Sequence, residues 1–111
     1  MREQRDGIPP GTLDMLILQT LVRGGKLHGF EIAEVIRHNS EDVLQVEEGS
    51  LYPALQRMLM RGWLEAEWGK TQENRRARYY VVTPAGRQHL DAELAAYHRV
   101  ARAIGRVLLP A

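Results

Sequence analysis

The sequence predicts a mainly α-helical fold with one small β-hairpin. Apolar residues recur at helical spacing along most of the chain, and the repeat shortens to two residues between Leu64 and Val82. The chain has 111 residues, of which 44% are hydrophobic and 26% charged, as expected for one globular domain. It contains no cysteine, which excludes disulfides and thiolate metal ligands and is typical of a reducing compartment. We therefore expect a cytoplasmic protein.

No membrane partner is expected, because the longest unbroken apolar runs, such as Met15 to Leu18, have four residues. A membrane-spanning helix requires about 18. Residues 1–10 are polar with mixed charge, which argues against a signal peptide and predicts a flexible N-terminus.

The first predicted helix follows Gly11, with Thr12 as its N-cap and Asp14 in its first turn. It is apolar on two faces and is therefore covered from two sides. We expect one face to pack on the chain's own core and the other to contact a second subunit. The first face comprises Leu13, Leu16, Ile17, Thr20 and Leu21, and the second comprises Met15, Leu18 and Val22.

A second helix is predicted from His28 to His38, with His28 in a capping or surface position. A short β-capable segment, Val43 to Val46, precedes a third helix from about Glu48 to Arg61. Pro53 is placed in the first turn of the third helix, where its missing N–H removes no intrahelical hydrogen bond. The buried stripe of this helix comprises Leu51, Leu55, Met58 and Leu59.

The period of two predicts a hairpin with a polar, mostly basic tip. Alternate residues of a strand share a face. Its first strand alternates Leu64, Ala66 and Trp68 with Glu65 and Glu67. Its second strand has Arg76, Arg78 and Tyr80 on one face and Ala77, Tyr79 and Val81 on the other. We expect the face with Tyr79 to cover the core, and Arg78 to pair with one of the two glutamates across the strands.

Thr83 as N-cap and Pro84 as first helical residue start a last helix that runs to about Leu108. The order of helix, helix, short strand, helix, hairpin and long helix is that of a winged helix-turn-helix. In that fold the third helix reads the major groove and the hairpin is the wing. The chain then divides into a flexible N-terminus (1–10), a winged helix-turn-helix DNA-binding domain (11–83) and a C-terminal dimerisation helix (84–111).

The basic charge is concentrated around the third helix and the hairpin. Residues 57–87 contain seven Lys or Arg and three Asp or Glu, a net charge of +4 in a chain whose net charge is +1. A local basic region favours a polyanionic partner, and the fold points to double-stranded DNA.

The third helix leaves side chains suited to DNA off its buried stripe. The hydroxyls of Ser50 and Tyr52 suit phosphate oxygens, and Pro53 lies beside them. Gln56 suits adenine, and Arg57 suits guanine or a phosphate. The same spacing is equally consistent with a helix face that contacts only solvent and no DNA.

The hairpin tip carries the other candidate DNA contacts, which are Lys70, Asn74, Arg75 and Arg76. A wing tip meets phosphates or the minor groove. The alternative is a solvated turn, and for Arg75 and Arg76 we prefer phosphate contact.

The last helix carries an apolar seam at spacings of four and three, which is the pattern of a short coiled coil. The seam comprises Leu90, Leu94, Tyr97, Ala101, Ile104 and Leu108, widened by Val100 and Val107. Pairing with a second copy would cover it, and packing back on the chain's own core is the alternative. A two-fold dimer addresses two half-sites about one DNA turn apart.

No constellation of an enzyme stands out. The four histidines show neither the paired spacing nor the clustering of a metal site, so no metal and no cofactor are expected. The alternative to a DNA-binding regulator is a winged-helix module for protein–protein contact.

Four segments together resemble the PadR family of transcriptional regulators. They are Gly11–Leu18 with His28–Ile32, Val46–Leu55 followed by Arg57 and Arg61–Leu64, Asn74–Tyr80, and Thr83–Gly86. The resemblance implies a homodimeric DNA-binding protein, usually a repressor, whose C-terminal helix contacts the first helix of the partner. It implies DNA contacts by Ser50, Tyr52, Pro53, Arg57, Asn74, Arg75 and Arg76.

Three features depart from that family. Met60 occupies a position that is usually polar there, where it is either an exposed filler or a contact to a partner. Phe30 stands where the family usually has tyrosine, so this chain has no hydroxyl at that position to bind a phosphate. Members that bind planar compounds between subunits use a tryptophan on the last helix, whereas Trp63 and Trp68 lie elsewhere in this chain. A small-molecule effector is the remaining candidate partner, and no residue set in the sequence identifies its chemistry.

Overall fold

The computed structural model describes residues 7–9 and 11–110, and within them four helices and three strands follow one another. Most of the segment 1–10, for which the sequence predicts flexibility, lies outside the described residues. The elements are α1 (Leu13–Gly24), β1 (Leu27–His28), α2 (Gly29–Asn39), α3 (Glu48–Met60), β2 (Leu64–Lys70), β3 (Arg76–Val82) and α4 (Pro84–Leu108). The predicted mainly α-helical winged helix-turn-helix is confirmed. No helix in this part of the chain combines the length and the apolar character needed to cross a bilayer.

The sheet is antiparallel with the order β1-β3-β2. The predicted hairpin is β2 and β3, whose register runs from Leu64 opposite Val82 to Lys70 opposite Arg76. We call this hairpin the wing. The sequence does not predict strand β1, because two residues are too short to show an alternating pattern.

One face of the wing, at its end nearest the helices, covers the core. Leu64 and Tyr80 are buried, the latter to 5% exposure, and Val82 packs beside them. The prediction that the face with Tyr79 covers the core is therefore wrong. Tyr79 lies opposite His28 of β1 on the other face, where the two rings meet edge to face at 5.3 Å. The rest of the core comes from the helices, chiefly Ile17, Leu18, Leu21, Ile32, Leu51, Leu55, Met58 and Leu90.

Two helix starts differ in how they are capped. His28 caps α2: its Nδ1 accepts a hydrogen bond from the Glu31 backbone N–H, and the Glu31 carboxylate accepts one from the His28 N–H. Thr12 occupies the N-cap position of α1, but its hydroxyl donates to the Pro9 carbonyl at 2.7 Å instead of capping the helix.

Pro53 is the sixth residue of α3 and does not lie in its first turn. The prediction that it removes no intrahelical bond is wrong, because a residue at this position would donate to the Gly49 carbonyl. Gly49 is exposed, so water can bond that carbonyl. Between α2 and α3 the expected strand at Val43–Val46 reduces to a single bridge residue, Leu44.

The start of α4 is fastened to the turn between α3 and β2. Thr83 caps α4 by accepting from the Gly86 N–H at 3.0 Å, and its hydroxyl donates to the Gly62 carbonyl at 2.6 Å. The Thr83 N–H donates to the Trp63 carbonyl at 3.0 Å, and the Trp63 ring stacks on His89 at 3.6 Å. The long helix is therefore fixed to the end of α3 through its first two turns.

This junction predicts the effect of Gly86→Ala. A Cβ at Gly86 would lie 2.2 Å from the Trp63 carbonyl oxygen, which belongs to the backbone and cannot move aside cheaply. We expect a decrease of about 1–3 kcal/mol in the free energy of unfolding, measured by urea denaturation. Gly105→Ala in the same helix is the control, since a Cβ there meets nothing within 4 Å. A Gly86→Ala protein as stable as the control would contradict this packing.

Candidate nucleic-acid interface

The buried stripe of α3 determines which of its side chains face outward. Leu51, Ala54, Leu55 and Met58 are buried, and this fixes the rotation of the helix. All five residues predicted on this helix to contact DNA lie on its exposed side, namely Ser50, Tyr52, Pro53, Gln56 and Arg57. Met60, also on that side, is 80% exposed.

Tyr52 is held in place by the start of α2. A Cβ added at Gly29 would lie 2.9 Å from both Cε1 and Oη of Tyr52, so the tyrosine ring lies directly against the glycine. Gly29 is buried and allows this approach. No signal in the sequence reports this contact, because it joins residues of different helices without a periodic pattern.

Tyr52 is also near the wing. Burial raises the pKa of the Tyr80 phenol, the Arg78 guanidinium partly opposes this, and the Tyr52 phenol adds to the increase. Tyr80 therefore lies within electrostatic reach of Arg78 on its own strand and of Tyr52 on α3. Tyr80 is buried in the same core as the inner stripe of α3, so the face of β3 that carries Arg76, Arg78 and Tyr80 lies on the same side of the sheet as α3.

Arg57 has a partner within the chain. Its Nη2 donates to Oδ1 of Asp14 in α1 at 2.7 Å, and its side chain remains half-exposed. The sequence pattern allows Arg57 to read guanine, but the ion pair directs it toward the side of α3 that adjoins α1. Its remaining N–H groups suit a phosphate better than a base edge.

The tip of the wing is an ordered turn. The Thr71 N–H donates to the Arg75 carbonyl at 2.8 Å, and the Asn74 N–H donates to the Thr71 carbonyl at 2.9 Å. Asn74 has φ of 63°, a left-handed conformation that asparagine tolerates better than most residues. The predicted contact residue Asn74 thus also shapes the turn, and its side chain is exposed.

In the outer part of the wing, which does not cover the core, three cationic side chains share a face with an exposed tryptophan. Lys70, Arg76 and Arg78 alternate on the face that Tyr80 occupies, with Trp68 directly opposite Arg78. We call these four residues the cationic ridge. The expectation that Arg78 pairs with Glu65 or Glu67 is wrong, since Trp68 faces Arg78 and Glu67 pairs with Lys26.

Arg75 lies apart from the ridge, next to the start of α2. It lines a groove between the wing and α2 together with His28, Phe30 and Tyr79. The wing thus offers cations both on its ridge and in this groove. Sequence reasoning did not include Arg78 and Trp68 among the candidate interface residues, although the shared face of Arg76 and Arg78 is visible in the alternation.

The residues predicted to form a dimer interface separate into two groups. Leu18 and Leu90 are 0% and 1% exposed in the chain's own core, so they offer no surface to a partner. Leu94 and Val22 pack partly against the same core, and Met15 is buried. The outer part of α4 is exposed, including Tyr97, Ala101, Ile104 and Leu108 with Val100 and Val107.

An apolar groove lies between α1 and α4. It has a volume of about 380 Å³ and is lined by residues that include Met15, Leu16, Leu94 and Tyr97. It therefore connects the second apolar face of α1 with the beginning of the exposed seam on α4.

Comparison with known proteins gives a consistent family relationship. Residues 17–92 match the model of the PadR-like family of transcriptional regulators. A transcriptional regulator from Clostridium thermocellum is 25% identical with a TM-score of 0.80, over 89% of this chain and 95% of that chain. A PadR family regulator from Eggerthella lenta is 26% identical with a TM-score of 0.76, over 91% and 85%. Bacillus subtilis PadR in complex with operator DNA is 23% identical with a TM-score of 0.67, over 78% of this chain and 48% of that one.

The Asp14–Arg57 pair predicts a measurable coupling between α1 and α3. Asp14→Ala and Arg57→Ala should each lower stability slightly, and a double-mutant cycle should give a coupling of about 0.2–1 kcal/mol for this partly exposed pair. Urea denaturation at low and high salt measures it, and the coupling should weaken at high salt. Additive effects of the two substitutions at low salt would show that the pair contributes nothing.

Proposed function

The chain belongs to the PadR-like family of transcriptional regulators, and we propose that it is a homodimeric repressor that binds a pseudo-palindromic operator in double-stranded DNA. Members of this family are regulators and not enzymes. We propose the cytoplasm as the place of action.

One observation supports DNA as the partner above all others. α3 and the cationic ridge lie on the same side of the sheet, because Tyr80 on the face of the ridge is buried in the same core as the inner stripe of α3. A duplex approaching α3 would therefore meet the ridge as well. The Bacillus subtilis relative, whose structure contains operator DNA, shares this fold.

The proposed contacts follow from the chemistry of each side chain. The exposed side of α3 enters the major groove, where Gln56 pairs with adenine and Ser50 and Tyr52 donate to phosphates. Arg57, oriented by Asp14, contacts a phosphate. The wing contacts the phosphates or the minor groove beside the same half-site through Lys70, Asn74, Arg75 and Arg76.

The homodimer rests on the exposed apolar seam of α4. Ile104 is 53% exposed, and its neighbours Tyr97 and Leu108 are exposed as well, on a helix whose outer part has no contact with the core. A second copy of α4, lying against the seam and the groove beside α1, would remove this surface from water. Two copies then present two α3 helices to the two half-sites.

A second candidate function is protein–protein contact through the same surface. Met60 and Phe30 are exposed apolar residues on α3 and at the start of α2, and apolar residues of this size favour a protein partner. Removal of the wing arginines separates the candidates, because it weakens DNA binding across all sequences and has no such effect on an apolar protein contact.

For a DNA-binding function we expect Arg75→Ala/Arg76→Ala to weaken binding and to reduce its salt dependence. The slope of log K against log salt should fall by about 0.9 for each phosphate that the variant no longer neutralises. The probe is a duplex selected from a random-sequence pool, with a scrambled duplex for comparison. Arg99→Ala/Arg102→Ala is the matched control, since it removes two exposed charges from the side of α4 opposite the seam. Equal affinities for the two duplexes by the wild-type protein would contradict the proposed function.

For the dimer we expect Ile104→Glu to produce monomers. Burying an unpaired carboxylate in the seam should raise the dimer dissociation constant by at least ~tenfold, measured by analytical ultracentrifugation. Ala95→Glu adds the same charge to an exposed position on the opposite side of α4 and should leave the dimer intact. A dimer that tolerates Ile104→Glu as well as Ala95→Glu would exclude the seam as the interface.

A further inference from the structure

Trp68 is a large apolar side chain in the middle of a charged surface. It is 59% exposed and makes no part of the core. Its neighbours on the same face of the wing are cations: the guanidinium carbon of Arg76 lies 4.3 Å from the centre of its ring, and that of Arg78 lies 5.9 Å away. Both distances are within the range of cation–π attraction.

The geometry of the wing places these groups together. Trp68 is directly opposite Arg78 in the β2–β3 register, and Arg76 is the next residue on that face toward the tip. Diagonal neighbours on a sheet are within reach of long and aromatic side chains. The shorter distance to Arg76 shows that this arginine has the closer contact with the indole.

An exposed arginine loses conformational entropy when a ligand orders it. A guanidinium over an indole ring is already restricted, while the N–H groups at its edge remain free to donate to phosphate oxygens. Lys70, which lies opposite Arg76, extends the same charged surface toward the tip. The ridge therefore presents its charge in a restricted arrangement before DNA is bound.

We propose that Trp68 is a positioning residue that holds Arg76, and more weakly Arg78, in place for contact with the DNA backbone. This inference rests on the proposed function and adds to it the residue that orders the wing. Trp68 acts through the arginine and not by touching the DNA, and these two roles predict different couplings between Trp68 and Arg76.

The first experiment is a double-mutant cycle on affinity for the selected duplex. Trp68→Ala should weaken binding about two- to fivefold when Arg76 is present, and it should have a clearly smaller effect in the Arg76→Ala background, where only the more distant Arg78 remains over the ring. Trp68→Phe keeps an aromatic face and should retain most of the affinity. Trp68 is exposed, so all variants should keep the wild-type melting temperature. A Trp68→Ala effect of equal size with and without Arg76 would mean that the indole contacts DNA itself, and would overturn the proposal.

The second experiment needs no DNA. In the free protein the ring current of Trp68 should shift the NMR signals of the Arg76 side chain upfield, and Trp68→Ala should remove that shift. The signals of Arg99, which lies on α4, should not change. Arg76 signals that are the same in the wild-type and Trp68→Ala proteins would overturn the proposal, whatever the DNA measurement gives.

The two experiments separate failure of this inference from failure of the proposed function. A wild-type protein that does not prefer the selected duplex contradicts the function, and the inference falls with it. A wild-type protein that does prefer it, together with unchanged affinity in Trp68→Ala, contradicts the inference alone.

Discussion

The burial of Tyr80 determines how the rest of the molecule is arranged. Side chains alternate along a strand, so placing Tyr80 in the core also places Arg78 and Arg76 on the same face of the wing. α3 packs on the same side of the sheet, because its buried stripe shares that core with Tyr80. A shift of β3 by one residue would move Arg76 and Arg78 to the opposite face of the sheet, away from Lys70 and Trp68. One apolar contact therefore determines where the charge of the wing lies.

The other half of the arrangement is the attachment of α4. Its first two turns are fixed to the α3–β2 turn through Thr83, Trp63 and His89, while its outer part carries the exposed seam. If two copies join through that seam, each α3 is connected to the dimer interface by a rigid junction and not by a loop. The spacing of the two α3 helices would then depend on how the two α4 helices cross. This gives a physical route by which a change at the interface alters DNA binding.

Much of the fold could be predicted because each helix carries its own boundaries. The end of the third helix at about Arg61, the Thr83–Pro84 start and the stripe of α3 are local patterns, and the structure reproduces them. What failed depended on contacts between distant segments. Strand alternation shows that Tyr79 and Tyr80 face opposite ways, but only the packing of the helices against one face of the sheet shows which one is buried.

In the candidate site, too, the sequence predicts features within one element but not contacts between elements. Ser50, Tyr52 and Gln56 could be identified as candidate contacts from the sequence, because the periodic buried stripe alone fixes which side of a helix is exposed. The Asp14–Arg57 pair and the contact between Gly29 and Tyr52 join different elements, and no periodic pattern in one segment reports them. The burial of Leu18 and Leu90 within their own chain has a related explanation: an apolar stripe does not say whether its own core or a partner covers it.

The central claim is that α3 and the wing form one DNA-contacting surface, and amide chemical-shift mapping tests it most directly. The uniformly ¹⁵N-labelled protein would be titrated with the duplex selected from a random pool, and with its scrambled counterpart as reference. We expect the largest changes specific to the selected duplex in residues 49–57 and 68–78, with small changes in residues 97–108 of α4. Changes concentrated in α4, with residues 49–57 unaffected, would contradict the claim.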